Sequence, residues 1–184
     1  VLHELFEEFA GRFVEKVQQL KPGNPLDPQT DMAVMIDLEN AERVENWVKE
    51  AVAAGAKILA GGQKDGSFMQ PTVLTGTREE MRVCSDEVFG PVVVIEPVAT
   101  FAEAIKQINS GRFGLQAGVF TNSIDEMNQA FDQLHVGGVI INDVPTFRVD
   151  HMPYGGIKDS GLGREGVKYA IMEMLEPRLL VKNC

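Results

Sequence analysis

The run FGPVVVIEPV, residues 89–98, decides the fold. It is apolar, β-branched and continuous, the pattern of a strand buried on both faces of a sheet. On its C-terminal side, Thr100 and Glu103 form a capping box that opens a helix over 101–109, stopped at Gly111. AGVFT (117–121) reads as a strand. Ser123 with Glu126 repeats the capping box for a helix over 124–134, and GGVIIN (137–142) is the next strand. Strands and helices that alternate through short links are βαβ units, which cross over right-handed and build a parallel sheet covered by helices. The expected class is therefore α/β, a parallel, doubly wound sheet with flanking helices.

The periphery follows from the same periodicities. Leu5, Phe6, Phe9, Phe13, Val17 and Leu20 recur at helical spacing, so residues 4–20 form an amphipathic helix. KPGNPLDPQT (21–30) is a loop, broken by three prolines and a glycine. Val44, Trp47, Val48, Ala51 and Val52 mark a helix over 38–54, capped by Asp37 and closed by Gly55. KILA (57–60) and PTVLTG (71–76) are short strands. The last helix spans 165–175 and leads into PRLLVKN (177–183), read as a strand at an edge or as an arm for a partner.

Composition narrows the function. A chain of 184 residues suits one domain with a real core. Its formal net charge of −10 argues against non-specific binding to nucleic acid or to an anionic membrane, both of which need a positive face. No apolar stretch reaches the roughly 20 residues of a spanning helix, and no secretory signal opens the chain. Cys84 and Cys184 are too few for a disulfide scaffold, and His3, His135 and His151 lie too far apart for metal-ligand spacing. A reducing, cytoplasmic setting is the default expectation.

GLGREG (161–166) matches the G-x-G-x-x-G spacing of a dinucleotide-binding loop. Its context fails, because no apolar strand feeds it and no acid-tipped strand follows. The glycines are read instead as the means of shaping a turn. The segment from Asn142 to Glu165 is a long loop holding Phe147, Arg148, His151, Met152 and Tyr154, a mixture suited to a binding pocket. Arg148 is either an anion clamp, its guanidinium forking onto a carboxylate or phosphate, or one half of a surface ion pair. His151 is a base, an anion ligand or a structural histidine. Tyr154, between Pro153 and Gly155, lines the loop. Cys84 sits among Arg82, Asp86 and Glu87 with no histidine nearby, so a structural thiol is favoured over a nucleophile. Glu87, just before Val88-Phe89-Gly90, either accepts hydrogen bonds from ribose hydroxyls or is a turn acid facing water.

Read together and in order, EVFGPVV (87–93), GVFT (118–121), GGVIIN (137–142) and MPYGGIKDSGLGREG (152–166) resemble the NAD(P)-dependent aldehyde dehydrogenases. FVEKVQQLKPGNPLDPQTDM (13–32) is similar to that family too. The resemblance runs over essentially the whole chain. It implies residues 1–175 as the C-terminal part of a catalytic domain and 176–184 as a terminal oligomerisation strand. The activity it implies is oxidation of an aldehyde through a cysteine thiohemiacetal whose hydride passes to NAD or NADP; Arg148 suggests a small aldehyde, anionic or hydroxylated. By the same resemblance, Glu87 holds the nicotinamide ribose, Phe89 lies beside the nicotinamide, and Arg148, His151 and Tyr154 line the substrate mouth. Glu165 matches a glutamate that serves a water or proton path.

The family's nucleophilic cysteine, in a G-Q-x-C-like segment, and its general-base glutamate match nothing in this chain, and Cys84 matches no catalytic position. VLHELFEEF opens in mid-element. The expectation is thus of a piece of a longer protein, inactive alone, whose parent is a homodimer or homotetramer. A non-catalytic oligomerisation module on the same fold is the alternative.

Overall fold

The computed structural model describes residues 1–183; Cys184 lies outside the described residues. The chain divides into two compact units, Val1–Phe101 and Ala102–Cys184.

The first unit is a small sheet between two helices. Helix α1 (His3–Gln18) and helix α2 (Leu38–Ala53) take the positions that their apolar spacing dictates. The Asp37 carboxylate accepts from the Asn40 amide at 2.7 Å and caps α2, while Gly55 leaves the helix at φ 108°. Strand β1 (Lys57–Ala60) follows, then the hairpin β2 (Lys64–Asp65) and β3 (Phe68–Met69), then β4 (Thr72–Thr75). The hairpin turns through the two-residue loop Gly66-Ser67, where Gly66 at φ 56° supplies the positive φ that the first position of a tight hairpin turn requires. A one-turn helix α3 (Arg82–Ser85) precedes strand β5 (Val92–Val94).

The sheet order is β1-β4-β5, with β1 antiparallel and β5 parallel to β4. Strand β4 is the doubly buried one. Its alternating side chains divide between two clusters: Val73 joins Ala60 and Ile95 under Phe6, Phe13, Val14 and Val17 of α1, whereas Leu74 joins Val44, Val48 and Ala51 of α2. Full burial of a leucine such as Leu74 is worth about 1.5–3 kcal/mol. This corrects the reading of 89–98 as one strand covered on both faces. The ladder holds Val92–Val94, Val98 makes a separate parallel bridge to Leu2, and among the described residues β5 stands at the sheet edge with Val93 exposed. Gly90, Pro91 and Pro97 bound it, since proline withholds a ladder donor.

The second unit contains the expected βαβ crossover. Helix α4 (Phe101–Ser110) and the short strand β6 (Phe113–Gly114) lead to β7 (Gln116–Val119), α5 (Ile124–Gln133) and β8 (Gly138–Ile141). β7 and β8 pair in parallel, Gln116 with Gly138 through Val119 with Ile141. Ser123 caps α5, its Oγ accepting from the Glu126 amide at 3.3 Å.

Three details differ from the sequence reading. The long loop contains strand β9 (Ile157–Lys158), which pairs antiparallel with β6. The last helix, α6 (Val167–Glu173), is shorter than 165–175 because Gly166, at φ 110°, keeps the chain out of helical geometry until Val167. Residues 177–183 form no strand, because a ladder needs a hydrogen-bonded neighbour and the described residues offer that segment none. Its Leu179, Leu180 and Val181 are 86%, 89% and 72% exposed. No described helix is long and apolar enough to cross a membrane.

Candidate functional site

The candidate residues occupy two segments, one in each unit. In the first unit, the turn Glu87–Pro91 joins α3 to β5. Val88 packs onto the α2 side of the core, while Glu87 and Phe89 on either side of it are exposed. The Val88 carbonyl accepts from Arg43 Nη2 at 2.8 Å. Phe89 has φ 45°, a conformation uncommon for a bulky residue, and the residue is 74% exposed. Gly90 lies so close to α2 that a Cβ there would meet Val44 Cγ2 at 2.8 Å. Such strain persists only where the surroundings over-determine it. Here the partly buried Val88, the Arg43 hydrogen bond and the Gly90 contact do so. The outcome is an exposed carboxylate and an exposed aromatic ring held two residues apart on a fixed turn.

Cys84 lies nearby in sequence, on α3. Its thiol donates to Thr77 Oγ1 at 3.3 Å. Partial burial pushes the thiol pKa up, the carboxylates of Glu96, Glu80 and Glu79 push it further, and the Thr77 hydrogen bond opposes them. With the thiolate disfavoured, Cys84 has the environment of a structural thiol.

In the second unit, the loop 142–166 is pinned at several points. The Gln116 side chain donates to the carbonyls of Pro145 and Phe147 at 2.7 and 3.2 Å, fixing the approach to Arg148. His151 sits, exposed, in a turn closed by the Met152 amide donating to Val149 O. Tyr154 and Glu165 then exchange backbone hydrogen bonds of 3.1 and 2.6 Å, which closes the loop on itself.

That closure brings three of the expected residues together. The Arg148 guanidinium lies 4.5 Å from the centre of the Tyr154 ring, and its Nη2 is 3.0 Å from the Glu165 carboxylate. Of the two readings of Arg148, the ion pair is thus realised in this structure. It is a weak tie, because its side chains are 44% and 66% exposed and such pairs contribute about 0–1 kcal/mol. Stacking on the ring adds about 0.5–1 kcal/mol. A better anion that takes both arms of the fork can therefore displace Glu165 without disturbing the loop.

GLGREG closes the segment, and the Glu173 carboxylate lies against it. Gly161, Gly163 and Gly166 all have positive φ. The Arg164 amide donates to Glu173 Oε1 at 3.2 Å, and a Cβ on Gly163 would come within 2.8 Å of that same carboxylate oxygen. The chain's own carboxylate sits where a phosphate cradle would need open amides. Arg164 Nη1 also donates to the carbonyls of Gly156 and Gly163, tying the turn inward. Among the described residues, no group of three or more His, Cys, Asp or Glu side chains is arranged for a metal.

Arg43 and Gln116 escaped the sequence reading. Both act on backbone carbonyls distant in sequence, and a donor on an amphipathic helix or at a strand start carries no pattern that marks such a target.

Each unit is α/β, with a parallel strand pair covered by helices, and each presents one candidate segment. The family that shares them is specific. The model of the aldehyde dehydrogenase family matches residues 1–180. A 3-sulfolactaldehyde dehydrogenase of Priestia aryabhattai is 51% identical over 97% of this chain and 38% of its own length. A lactaldehyde dehydrogenase of Methanococcus aeolicus is 45% identical over 98% of this chain and 38% of its own. Among solved structures, aldehyde dehydrogenase 21 of Physcomitrella patens, in complex with the reaction product succinate, superposes with a TM-score of 0.94 at 46% identity, over 96% of this chain and 37% of that one. Glyceraldehyde-3-phosphate dehydrogenase GapN of Methanocaldococcus jannaschii, complexed with NADP, gives 0.90 at 42% identity, over 95% and 38%. The chain belongs to the aldehyde dehydrogenase family and spans about 38% of the length of the curated relatives it matches.

Proposed function

We propose that this chain carries part of the active site of an NAD(P)-dependent aldehyde dehydrogenase that oxidises a small anionic or hydroxylated aldehyde to its acid. The observation that carries the reading is Arg148, stacked on Tyr154 and held by an easily displaced carboxylate in an exposed loop. The relatives' names support an anionic end on the substrate: a sulfonated aldehyde in one, a phosphorylated aldehyde in another, and succinate as product in a third.

In this reading Arg148 exchanges Glu165 for the substrate's anionic group, and Tyr154 keeps the guanidinium flat and oriented during the exchange. Anchoring the far end of a small aldehyde fixes where its carbonyl falls. Glu165, once released, faces the substrate mouth as a carboxylate able to order a water. His151, at the tip of the turn, is free to approach the substrate from solvent.

Glu87 and Phe89 fit a nicotinamide nucleotide. An exposed carboxylate accepts from ribose hydroxyls, and an exposed ring on a fixed turn offers a face or edge to the nicotinamide. The bound cofactor would supply the hydride acceptor; the chain's part is to hold it in register.

The test is Arg148→Ala in the complete protein, with kcat/KM measured on a sulfonated or carboxylated aldehyde and on a neutral aldehyde of similar size. Loss of one charge-assisted contact lowers kcat/KM on the anionic substrate by about 10–100-fold, from about 1.5–3 kcal/mol. The neutral substrate is affected far less. Equal values for wild type and variant on the anionic substrate contradict the proposal.

A second reading, of the tail as a joining element, is favoured by one observation: Leu179, Leu180 and Val181 are exposed in an unpaired segment. Such a segment gains ladder hydrogen bonds by adding to a sheet edge of a second copy. Arg178→Pro with Leu180→Pro, which removes two ladder donors, then shifts light-scattering mass toward the monomer; an unchanged mass contradicts it.

A further inference from the structure

We propose that Arg43 of α2 is a positioning residue for the Glu87–Phe89 turn, setting cofactor affinity through the Val88 carbonyl. The inference rests on the reading of Glu87 and Phe89 as cofactor contacts. Arg43 Nη2 reaches 45 residues along the chain to donate to Val88 O at 2.8 Å in a half-buried setting. Its guanidinium also lies 4.8 Å from the centre of the Trp47 ring, and Asn40 Oδ1 accepts from Arg43 Nε and Nη2 at 3.4 and 3.3 Å. Asn40 in turn donates its amide and side-chain N–H to Asp37 Oδ1 at 2.7 and 2.9 Å. The cap of α2, its first turn and the 87–89 turn are thus linked by one run of hydrogen bonds.

Trp47 receives a second guanidinium. Arg82, also 4.8 Å from the ring centre, is fixed by both oxygens of Glu50 at 2.8 and 3.0 Å. Arg82 begins α3, the helix that runs into the turn. The entry to the turn is therefore held through Arg82 and its middle through Arg43, both against the same indole. The exit is held where Gly90 meets Val44.

The consequence is directional. The Val88 carbonyl is held by Nη2 of a guanidinium whose Nε and Nη2 are also fixed on Asn40, which restrains the Val88–Phe89 peptide plane and with it the φ of 45° at Phe89. Release of the carbonyl lets Phe89 relax toward negative φ, which swings its ring and turns Glu87 relative to it. Neither Arg43 nor Trp47 touches substrate or cofactor in this account. Their effect passes through Val88.

NMR and cofactor titration test it together. Arg43→Met keeps the aliphatic stem over Trp47 and removes every donor; Arg43→Lys keeps the charge and loses the fork. In the 184-residue chain, Arg43→Met weakens the intraresidue amide–Hα NOE of Phe89, which is strong at its positive φ, while the resonances of Val73 and Leu74 keep their wild-type positions and certify the fold. In the complete protein, the same variant raises the Kd for NAD(P), measured by fluorescence titration, by about tenfold with the aldehyde KM unchanged, and Arg43→Lys rescues it incompletely. Glu87→Gln raises that Kd and leaves the Phe89 NOE alone. A wild-type Phe89 NOE in Arg43→Met overturns the positioning role outright. A weakened NOE with an unchanged Kd, when Glu87→Gln does weaken binding, overturns it also. If Glu87→Gln leaves the Kd unchanged, the cofactor reading itself fails and the proposal falls with it.

Discussion

Gly90→Ala puts one methyl group where α2 leaves no room for it. The new Cβ would lie 2.8 Å from Val44 Cγ2, 3.3 Å from Val44 Cγ1 and 3.4 Å from Met35 Cε. Carbon atoms in favourable contact sit about 3.5–4.0 Å apart, so the closest pair overlaps by nearly 1 Å. Overpacking of this kind costs about 1–3 kcal/mol. Val44 is fully buried, so Val44→Ala alone costs about 2–3 kcal/mol in lost burial and residual cavity. The two changes are complementary, because Val44→Ala removes both methyl carbons that obstruct the new one. The double variant is therefore destabilised by about 1–3 kcal/mol less than the sum of the single variants.

Urea unfolding followed by fluorescence reads this out cleanly, since Trp47 is the chain's single tryptophan and packs against the same core. With a slope of about 1–3 kcal/mol per molar urea, the coupling moves the double variant's midpoint by roughly 1 M from the additive expectation. Strict additivity, or a neutral Gly90→Ala, refutes the close packing of the turn on α2.

Cys84 reacts with iodoacetamide at pH 8 more slowly than free cysteine, because burial and nearby carboxylates raise its pKa; equal rates contradict that environment. The sign for stability follows: a raised thiol pKa favours folding at neutral pH, and the contribution is lost as pH climbs above about 8.5, the unfolded value. Ser123→Ala removes the acceptor for the Glu126 amide at the start of α5 and costs about 1 kcal/mol, seen as a lower Tm. Asp37 runs the other way from Cys84. Hydrogen bonds from the Asn40 backbone and side chain lower its pKa, so its cap stabilises α2 above about pH 4 and is lost in stronger acid, visible by circular dichroism.

The crossover from β7 through α5 to β8 was legible in the sequence because local signals agree there: a capping box, a helical period and apolar strands at short spacing. Both long amphipathic helices were legible for the same reason. Strand direction was not. KILA carries no mark of its antiparallel pairing to β4, which the hairpin β2–β3 makes possible by returning the chain. The apolar run around Val92–Val94 suggested a central strand, yet centrality belongs to Thr72–Thr75, a shorter run whose burial depends on both helices at once. At the candidate site, residue types could nominate Arg148, Tyr154 and Glu165 separately. Their meeting rests on the backbone bridge between Tyr154 and Glu165, whose two strands of sequence show no alternation. His151 had the same sequence credentials and lies outside that cluster.

If Arg148 receives the anionic end of the substrate in place of Glu165, its loss is felt by charged substrates alone. The kcat/KM of the complete protein, for a sulfonated aldehyde against a neutral aldehyde of matched size, in wild type and Arg148→Ala, reads this out. A selective loss of about 10–100-fold is expected for the sulfonated substrate. An equal loss for both substrates, or none for either, contradicts it.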